Sequence, residues 1–133
     1  EDALASLSGD EKKEKKTVDI KLAISAYISD DYIHEDRVRL ELYRRLSRAS
    51  DIQDVYKIEE EMEDRFGKPD IFTKQFIELI IIKILALNKG IQNISSYEMN
   101  ITFTKDDATK ESIKSPSKDD DDIIATTLRY LRK

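Results

Sequence analysis

The sequence contains no cysteine, one histidine and three glycines that stand far apart. Without cysteine there is no disulfide framework, no thiolate nucleophile and no thiolate metal site. A zinc site or a serine–histidine pair would have to rely on His34 alone, and a single histidine where a helix is expected to begin is typical of a surface or capping residue. Because Gly9, Gly67 and Gly90 are isolated, a glycine-rich loop that cradles phosphate is excluded as well.

Long apolar runs and targeting signals are also missing. Charged residues interrupt the most apolar stretch well short of the ~18–20 residues that a membrane span needs, and no signal peptide, transit peptide or lipidation motif is present. The net charge of −5 argues against nonspecific binding to nucleic acid or anionic lipid. With 38% charged residues of both signs among 133 residues, we expect a soluble, cytoplasmic and monomeric protein with one hydrophobic core.

Carboxylates are abundant, but their pattern does not predict catalysis. The run Asp119–Asp122 would point in several directions around a helix and lacks the spacing of a calcium loop. It is better explained by the positive end of a helix that starts there. The paired carboxylates between Glu59 and Asp64 lack an apolar pocket that would raise a pKa for acid catalysis. We therefore predict no catalytic residue, no metal site and no cofactor in this chain.

Residues 71–90, IFTKQFIELIIIKILALNKG, are the most apolar segment and predict a central helix. Between Phe76 and Leu87 only Glu78 and Lys83 are charged, so the helix must be covered on most of its circumference. Gly90 is expected to form its C-terminal cap. The remaining chain is expected to wrap around this helix.

The other segments predict an α+β fold: a small, mostly antiparallel sheet packed on a helical layer with a buried central helix. Residues 1–16 are charged and predict a flexible tether; because the chain begins at Glu1 rather than Met, we expect a piece of a longer protein. Residues 17–133 are expected to form one domain. Its predicted elements are a strand over 17–28, a helix over 33–50, a helix from a cap at Asp51 to Phe66 with Gly67 ending it, strands over 91–94, 99–103 and 111–114, and a last helix capped by Ser117 or Asp119.

One basic residue is predicted to lie inside the apolar stripe of the first helix. At 100° per residue, Arg45 falls about 20° from Val38. A partly buried guanidinium needs a carboxylate or carbonyl partner, so Arg45 is expected to be structural rather than a ligand site. Without other information, the acidic outer face of the second helix indicates an ordinary solvated surface.

Two stretches together resemble the C-terminal domain of the bacterial transcription-repair coupling factor. The family shows a strand ending in Tyr-Ile, an Asp-rich turn, then Arg-Leu-x-x-Tyr-[Lys/Arg]-Arg, followed by Glu-x-x-Asp-Arg-Phe-Gly and, after a long helix, Gly-Ile. The matching residues here are Tyr27-Ile28, Asp30-Asp31, Arg39-Leu40, Tyr43-Arg44-Arg45, Glu61, Asp64-Arg65-Phe66-Gly67 and Gly90-Ile91. The resemblance covers about residues 17–103, and Ser29 and His34 stand where prolines are common.

The resemblance implies a noncatalytic, regulatory domain of an ATP-driven DNA translocase whose motor, with its ATP and Mg, lies elsewhere in the protein. The parent protein would act on double-stranded DNA, RNA polymerase and UvrA. This domain would mask the N-terminal UvrA-binding module of the same protein. A mask that must be released favours a polar contact, and we expect Glu60, Glu61 and Asp64 to make it. Phe66, Gly67 and Gly90 are expected to be structural.

Two alternatives stay open at this point. One is a nucleic-acid-binding module that uses Arg37, Arg39, Arg44 and Arg48. It predicts a DNA affinity that falls steeply with salt. The other is a metal-dependent hydrolase that uses the carboxylates, which calorimetry with divalent ions would test.

Overall fold

A computed structural model describes residues 17–133, so the tether predicted for residues 1–16 lies outside the described residues. Four helices and a four-stranded mixed sheet confirm the predicted α+β fold. The elements in chain order are β1 (Asp19–Lys21), α1 (Asp36–Arg48), α2 (Ile52–Phe66), α3 (Ile71–Asn88), β2 (Ile91–Tyr97), β3 (Asn100–Lys105), β4 (Lys110–Lys114) and α4 (Asp120–Leu131).

The sheet has the strand order β1-β2-β3-β4. β1 runs parallel to β2, with Ile20 opposite Ile94, whereas β2–β3 and β3–β4 are antiparallel. Phe103 stands opposite Ile94 from the other side, so these positions share one buried face. The prediction of a mostly antiparallel sheet is therefore confirmed.

The helix α3 is the buried centre that the sequence predicts. None of residues 75–86 is exposed, and Ile77 and Ile82 are fully buried. Asp70 starts the helix by accepting a hydrogen bond from the Thr73 backbone N–H at 3.0 Å. Gly90, which directly follows the C-cap residue, has a φ of 72°, a conformation that glycine adopts without strain.

Two hydrophobic clusters meet on α3. The helical cluster holds α1, α2 and one set of α3 residues, and its buried members are Ile28, Ile33, Leu42, Leu46, Val55, Ile58, Met62, Ile77, Ile80, Ile81 and Ile84. The sheet cluster holds the sheet, α4 and the other α3 residues, and its buried members are Val18, Ile82, Ala86, Ile91, Ile94, Ile101, Phe103, Ile123, Ile124 and Leu131. Leu85 and Leu128 pack against both clusters, so one helix joins the two halves.

The prediction of one strand over residues 17–28 was wrong in length. Only Asp19–Lys21 pairs with a neighbouring strand. Beyond it two backbone N–H groups donate to side chains instead of a neighbouring strand: the Ala23 N–H to Ser96 Oγ at 2.8 Å and the Ser25 N–H to Asp120 Oδ2 at 2.9 Å. Side chains keep alternating between exposed and half-buried up to Tyr27, which explains why the pattern suggested a continuous strand.

Several predicted boundaries also move. The first helix begins at Asp36 rather than at residue 33. The backbone N–H of Ile33 donates to the Ser29 carbonyl in a turn that precedes the helix, and the Ile33 side chain is buried in the core. Met99 lies in the β2–β3 turn rather than in a strand, next to Glu98 with its φ of 57°. Asp119 occupies the N-cap position of α4 without capping it by its own side chain.

Candidate interaction surface

The hairpin of α1 and α2 is set by the caps of α2. The Asp51 carboxylate accepts a hydrogen bond from the Gln53 backbone N–H at 3.0 Å, which confirms the predicted helix start. The helix ends at Gly67, whose φ of 86° is strained for other residues. The hydroxyl of Tyr32 donates to the Gly67 carbonyl at 2.6 Å, and its ring meets Phe66 edge-on. These contacts hold the end of α2 in place.

Arg45 and Glu61 form a bidentate ion pair between α1 and α2. Both hydrogen bonds measure 2.8 Å, so Arg45 has the carboxylate partner that the sequence predicts for it. The hydrogen bonds from Arg45 lower the pKa of the Glu61 carboxyl, and the same pair raises the pKa of Arg45. Arg65 lies 3.5 Å from Glu61 on the other side. The charge of Glu61 is therefore largely neutralised within the domain.

Sequence reasoning did not name Glu61 as that partner, although a signal was present. Glu61 follows the buried Ile58 by three residues, which places it about 60° from a buried position of α2. A carboxylate at the edge of the apolar stripe is suited to meet a guanidinium at the edge of the facing stripe.

A second carboxylate of α2 is also bound inside the domain. Lys74 of α3 donates to Glu59 at 2.7 Å, and this hydrogen bond raises the pKa of the lysine. The side chain of Glu59 is only 13% exposed, whereas that of Lys74 is about half exposed. This pair joins α2 to α3 as the Arg45–Glu61 pair joins α2 to α1.

Glu60 and Asp64 lie on the outward side of α2, and both are exposed. Four residues apart, they are about 40° apart around the helix and about 6 Å apart along it. Within residues 17–133 neither takes part in an ion pair or a side-chain hydrogen bond. Among the three predicted contact residues, these two present uncompensated negative charge and Glu61 does not.

The arginines of α1 also divide into those that are paired within the domain and those that are exposed without an ion pair. Arg39 points back to the start of its own helix, where it pairs with Asp36 and donates to the Ile33 carbonyl at 2.6 Å. Arg37, Arg44 and Arg48 are exposed and form no ion pair within the part of the chain that the structure describes. The predicted nucleic-acid-binding set is therefore reduced to three residues on the outward side of α1.

The aspartates at the start of α4 lie closer together than the sequence predicts. Oxygen atoms of Asp119, Asp121 and Asp122 lie within 4.8 Å of one another. The reason is that Asp119 precedes the helix in extended backbone, so helical spacing does not direct its side chain. Asp122 accepts from the Ser117 hydroxyl at 2.6 Å, and Asp120 turns away to the Ser25 backbone. His34 lies elsewhere, exposed, before α1.

Comparison with known proteins assigns this fold to a family. The model of the TRCF domain family matches residues 22–115, which are more than half of the chain. The chain belongs to the TRCF domain family. A 48% identical relative, the transcription-repair-coupling factor of Helicobacter pylori strain J99, aligns with 98% of this chain and 13% of its own length. The factor of Rickettsia prowazekii is 34% identical over 77 residues, 58% of this chain and 7% of that protein.

A solved structure agrees with the fold. The crystal structure of the C-terminal domain of a transcription-repair coupling factor superposes with a TM-score of 0.65 at 23% identity, over 68% of this chain and 56% of that one. The TRCF domain described here thus spans about an eighth of the length of the curated relatives it matches. Among residues 17–133, none of the helices has the length and apolarity to cross a membrane.

Proposed function

We propose that this TRCF domain is a noncatalytic regulatory domain of a transcription-repair coupling factor, and that it masks the UvrA-binding module of the same protein. The longer protein would be a cytoplasmic ATP- and Mg-dependent translocase on double-stranded DNA that displaces RNA polymerase and recruits UvrA. Membership of the family and the 48% identity to a named factor support this setting.

The observation that carries the masking proposal is the division of charge on α2. Glu59 and Glu61 are bound by Lys74 and Arg45, while the neighbouring Glu60 and Asp64 face outward without a partner in the described residues. Exposed carboxylates of this kind steer and select a basic partner without the strong affinity of an apolar interface. That combination suits a contact which must open when UvrA is needed.

The ion pair behind this surface gives Glu61 a supporting role in the proposal. Its carboxylate is oriented by the two hydrogen bonds from Arg45, so it adds to the negative potential less than Glu60 or Asp64 does. A change at Glu61 would also leave Arg45 without its partner. A test of the contact should therefore change Glu60 and Asp64 and leave Glu61 in place.

The experiment is charge reversal in the full-length parent protein. Glu60→Lys combined with Asp64→Lys is expected to raise the affinity for UvrA about tenfold or more, because coupling energies for close interfacial charge pairs begin at about 1.5 kcal/mol. Asp19→Lys combined with Glu98→Lys is the matched control, since it makes the same change in net charge at exposed positions of β1 and of the β2–β3 turn. The 3.7 Å pair of Glu98 with Lys118 is exposed, so its loss should cost little. Unchanged UvrA affinity in a folded double variant would show that this surface is not the mask.

A second measurement tests the contact directly. The isolated chain should bind the separate UvrA-binding module, and the dissociation constant should rise with salt because exposed charges are screened. A dissociation constant that is independent of salt would contradict a contact led by Glu60 and Asp64.

A nucleic-acid-binding role is the second candidate, favoured by the exposed Arg37, Arg44 and Arg48 on α1. It predicts that DNA binds the isolated chain and that Arg44→Glu with Arg48→Glu abolishes this binding. The net charge of −5 counts against it. Absence of DNA binding at low salt would remove this candidate.

A further inference from the structure

Three large apolar side chains form an exposed group where α3 begins. Tyr27, Ile71 and Phe72 are 45%, 61% and 37% exposed, and we call them the aromatic patch. The rings of Tyr27 and Phe72 stack with centroids 5.0 Å apart and planes at 12°. Single exposed apolar residues are ordinary, but a contiguous apolar group rimmed by polar residues marks an interaction surface.

The patch is held rigid by backbone hydrogen bonds. The Tyr27 N–H donates to the Phe72 carbonyl at 3.2 Å, and the Ser29 N–H donates to Thr73 Oγ1 at 3.1 Å. Upstream, the Ser25 N–H is bound by the Asp120 carboxylate. The backbone that carries the two stacked rings is therefore held in place before any partner arrives, which reduces the entropy lost on binding.

The surroundings of the aromatic patch are acidic. Asp30 and Asp70 lie within three residues of it, Asp31 follows Tyr27 by four residues, and the carboxylate of Asp120 is bonded to its supporting segment. The cations nearest in sequence are Lys68 and Lys74, and Lys74 is bound to Glu59. The patch thus combines partly exposed aromatic rings with neighbouring negative charge.

We propose that the aromatic patch is a docking site for a cationic, partly apolar segment of another protein, with an arginine or lysine over the exposed rings and an aliphatic side chain against Ile71. A guanidinium or ammonium is attracted both to the face of an aromatic ring and to the flanking carboxylates. The site uses no residue of α2, so it is separate from the proposed masking contact. Its partner is a different surface from the one that meets Glu60 and Asp64.

The other possible occupants are disfavoured by charge. Nucleic acid and anionic lipid would be repelled by the four carboxylates that flank the patch. A second copy of this chain, docked patch to patch about a two-fold axis, would bring the same carboxylates against each other. A cationic segment is the occupant whose charge complements the site.

A short peptide can test this chemistry on the isolated chain. The probe is acetyl-Arg-Leu-Arg-Leu-Arg-amide, with acetyl-Glu-Leu-Glu-Leu-Glu-amide as the matched control, each titrated into the isotope-labelled chain to about 5 mM, where millimolar affinities are visible. Amide shifts at Tyr27, Ile71, Phe72 and their neighbours are expected with the arginine peptide only. Phe72→Ser should weaken the binding of the arginine peptide at least fivefold, because truncating a strongly contributing interface residue costs more than about 1 kcal/mol of binding free energy. If Phe72→Ser does not fold, Ile71→Ser takes its place with the same expected result.

Leu87→Ser is the control variant, because Leu87 is as exposed as Phe72, at 37%, and lies about 22 Å further along α3, near its opposite end. Its loss should leave binding unchanged. Four outcomes would overturn the proposal. They are no shifts at the highest concentration, shifts confined to Glu60 and Asp64, equal binding of the glutamate peptide, and self-association of the chain that Phe72→Ser abolishes.

Discussion

The two halves of this domain share one helix but use charge differently. In the helical half, ion pairs of 2.7–2.8 Å connect neighbouring helices, Arg45 with Glu61 and Lys74 with Glu59. In the sheet half the corresponding pairs are looser, with Lys105 at 4.0 Å from Glu111. The helical half also carries the exposed carboxylates, arginines and aromatic patch described above.

This difference shows how a charged surface is prepared for a partner. Neutralising some carboxylates within the domain leaves the remaining ones as the distinct charges of the surface. The sheet half, whose Phe103 and Tyr130 rings stack 4.0 Å apart, is held mainly by apolar packing and backbone ladders. We infer that the helical half is the interacting side and that the sheet half supports α3 from behind.

If α3 couples the halves, a cavity in either core should destabilise both. Leu46→Ala in the helical cluster and Ile101→Ala in the sheet cluster each remove a fully buried side chain, with an expected cost of about 2–5 kcal/mol. Urea unfolding followed by circular dichroism and by tyrosine fluorescence should show one transition in each variant.

The exposed Leu40→Ala is the control for this experiment, and its expected effect is within about 0.5 kcal/mol. Two separate transitions, with only one of them shifted by each cavity, would show that the halves unfold independently. The helical half and the sheet half would then be two separate folding units and not two sides of one cooperative domain.

The short ion pairs of the helical half should contribute more to stability than the long ones of the sheet half. Arg45→Met should lower the free energy of unfolding by about 1 kcal/mol, because the half-exposed Glu61 loses two charge-assisted hydrogen bonds. Lys105→Met, which removes the 4.0 Å pair with Glu111, should change it by less than about 0.5 kcal/mol. Equal losses in urea unfolding would mean that the two halves do not differ in this respect.

The helical half could be predicted from the sequence because its signals are local. Asp51 and Gly67 mark the ends of α2 by capping chemistry, and the mostly apolar sequence of α3 requires burial. Helical spacing also predicted that Arg45 lies inside the apolar stripe of α1, where it needs a partner. The identity of its partner required the packing of α1 on α2, which depends on both helices at once.

The segment from Leu22 to Ile28 and the aromatic patch could not be predicted, since both depend on residues distant in sequence. Ser25 is held by Asp120, 95 residues away, and Tyr27 by Phe72. Alternation alone does not distinguish a paired strand from an extended segment whose hydrogen bonds go to side chains. Likewise, the apolar run of α3 gives no sign that its first turn, with Ile71 and Phe72, extends beyond the cover of its neighbours.

The smallest expected effect concerns Glu78, where the two halves meet on α3. Burial raises the pKa of its carboxyl; Lys74 and Arg132 oppose that rise, and Glu59 adds to it. A carboxyl whose pKa is higher in the folded state stabilises the fold while it is protonated, and this stability is lost as pH rises from its ordinary value of 4.5 through the raised one. At pH 7 the ionised Glu78 is therefore a cost to folding.

Glu78→Gln should remove that cost and raise the free energy of unfolding at pH 7 by up to about 0.5 kcal/mol, as measured by urea unfolding. The gain should shrink toward zero as the pH falls below 4.5, where the wild-type carboxyl is protonated in both states. Glu60→Gln, on an exposed position, is the control for replacing a carboxylate by an amide. A loss of stability at pH 7 would mean that Glu78 acts mainly as a partner of Lys74 and Arg132, and that charge stabilises the junction of the two halves as well as the helical surface.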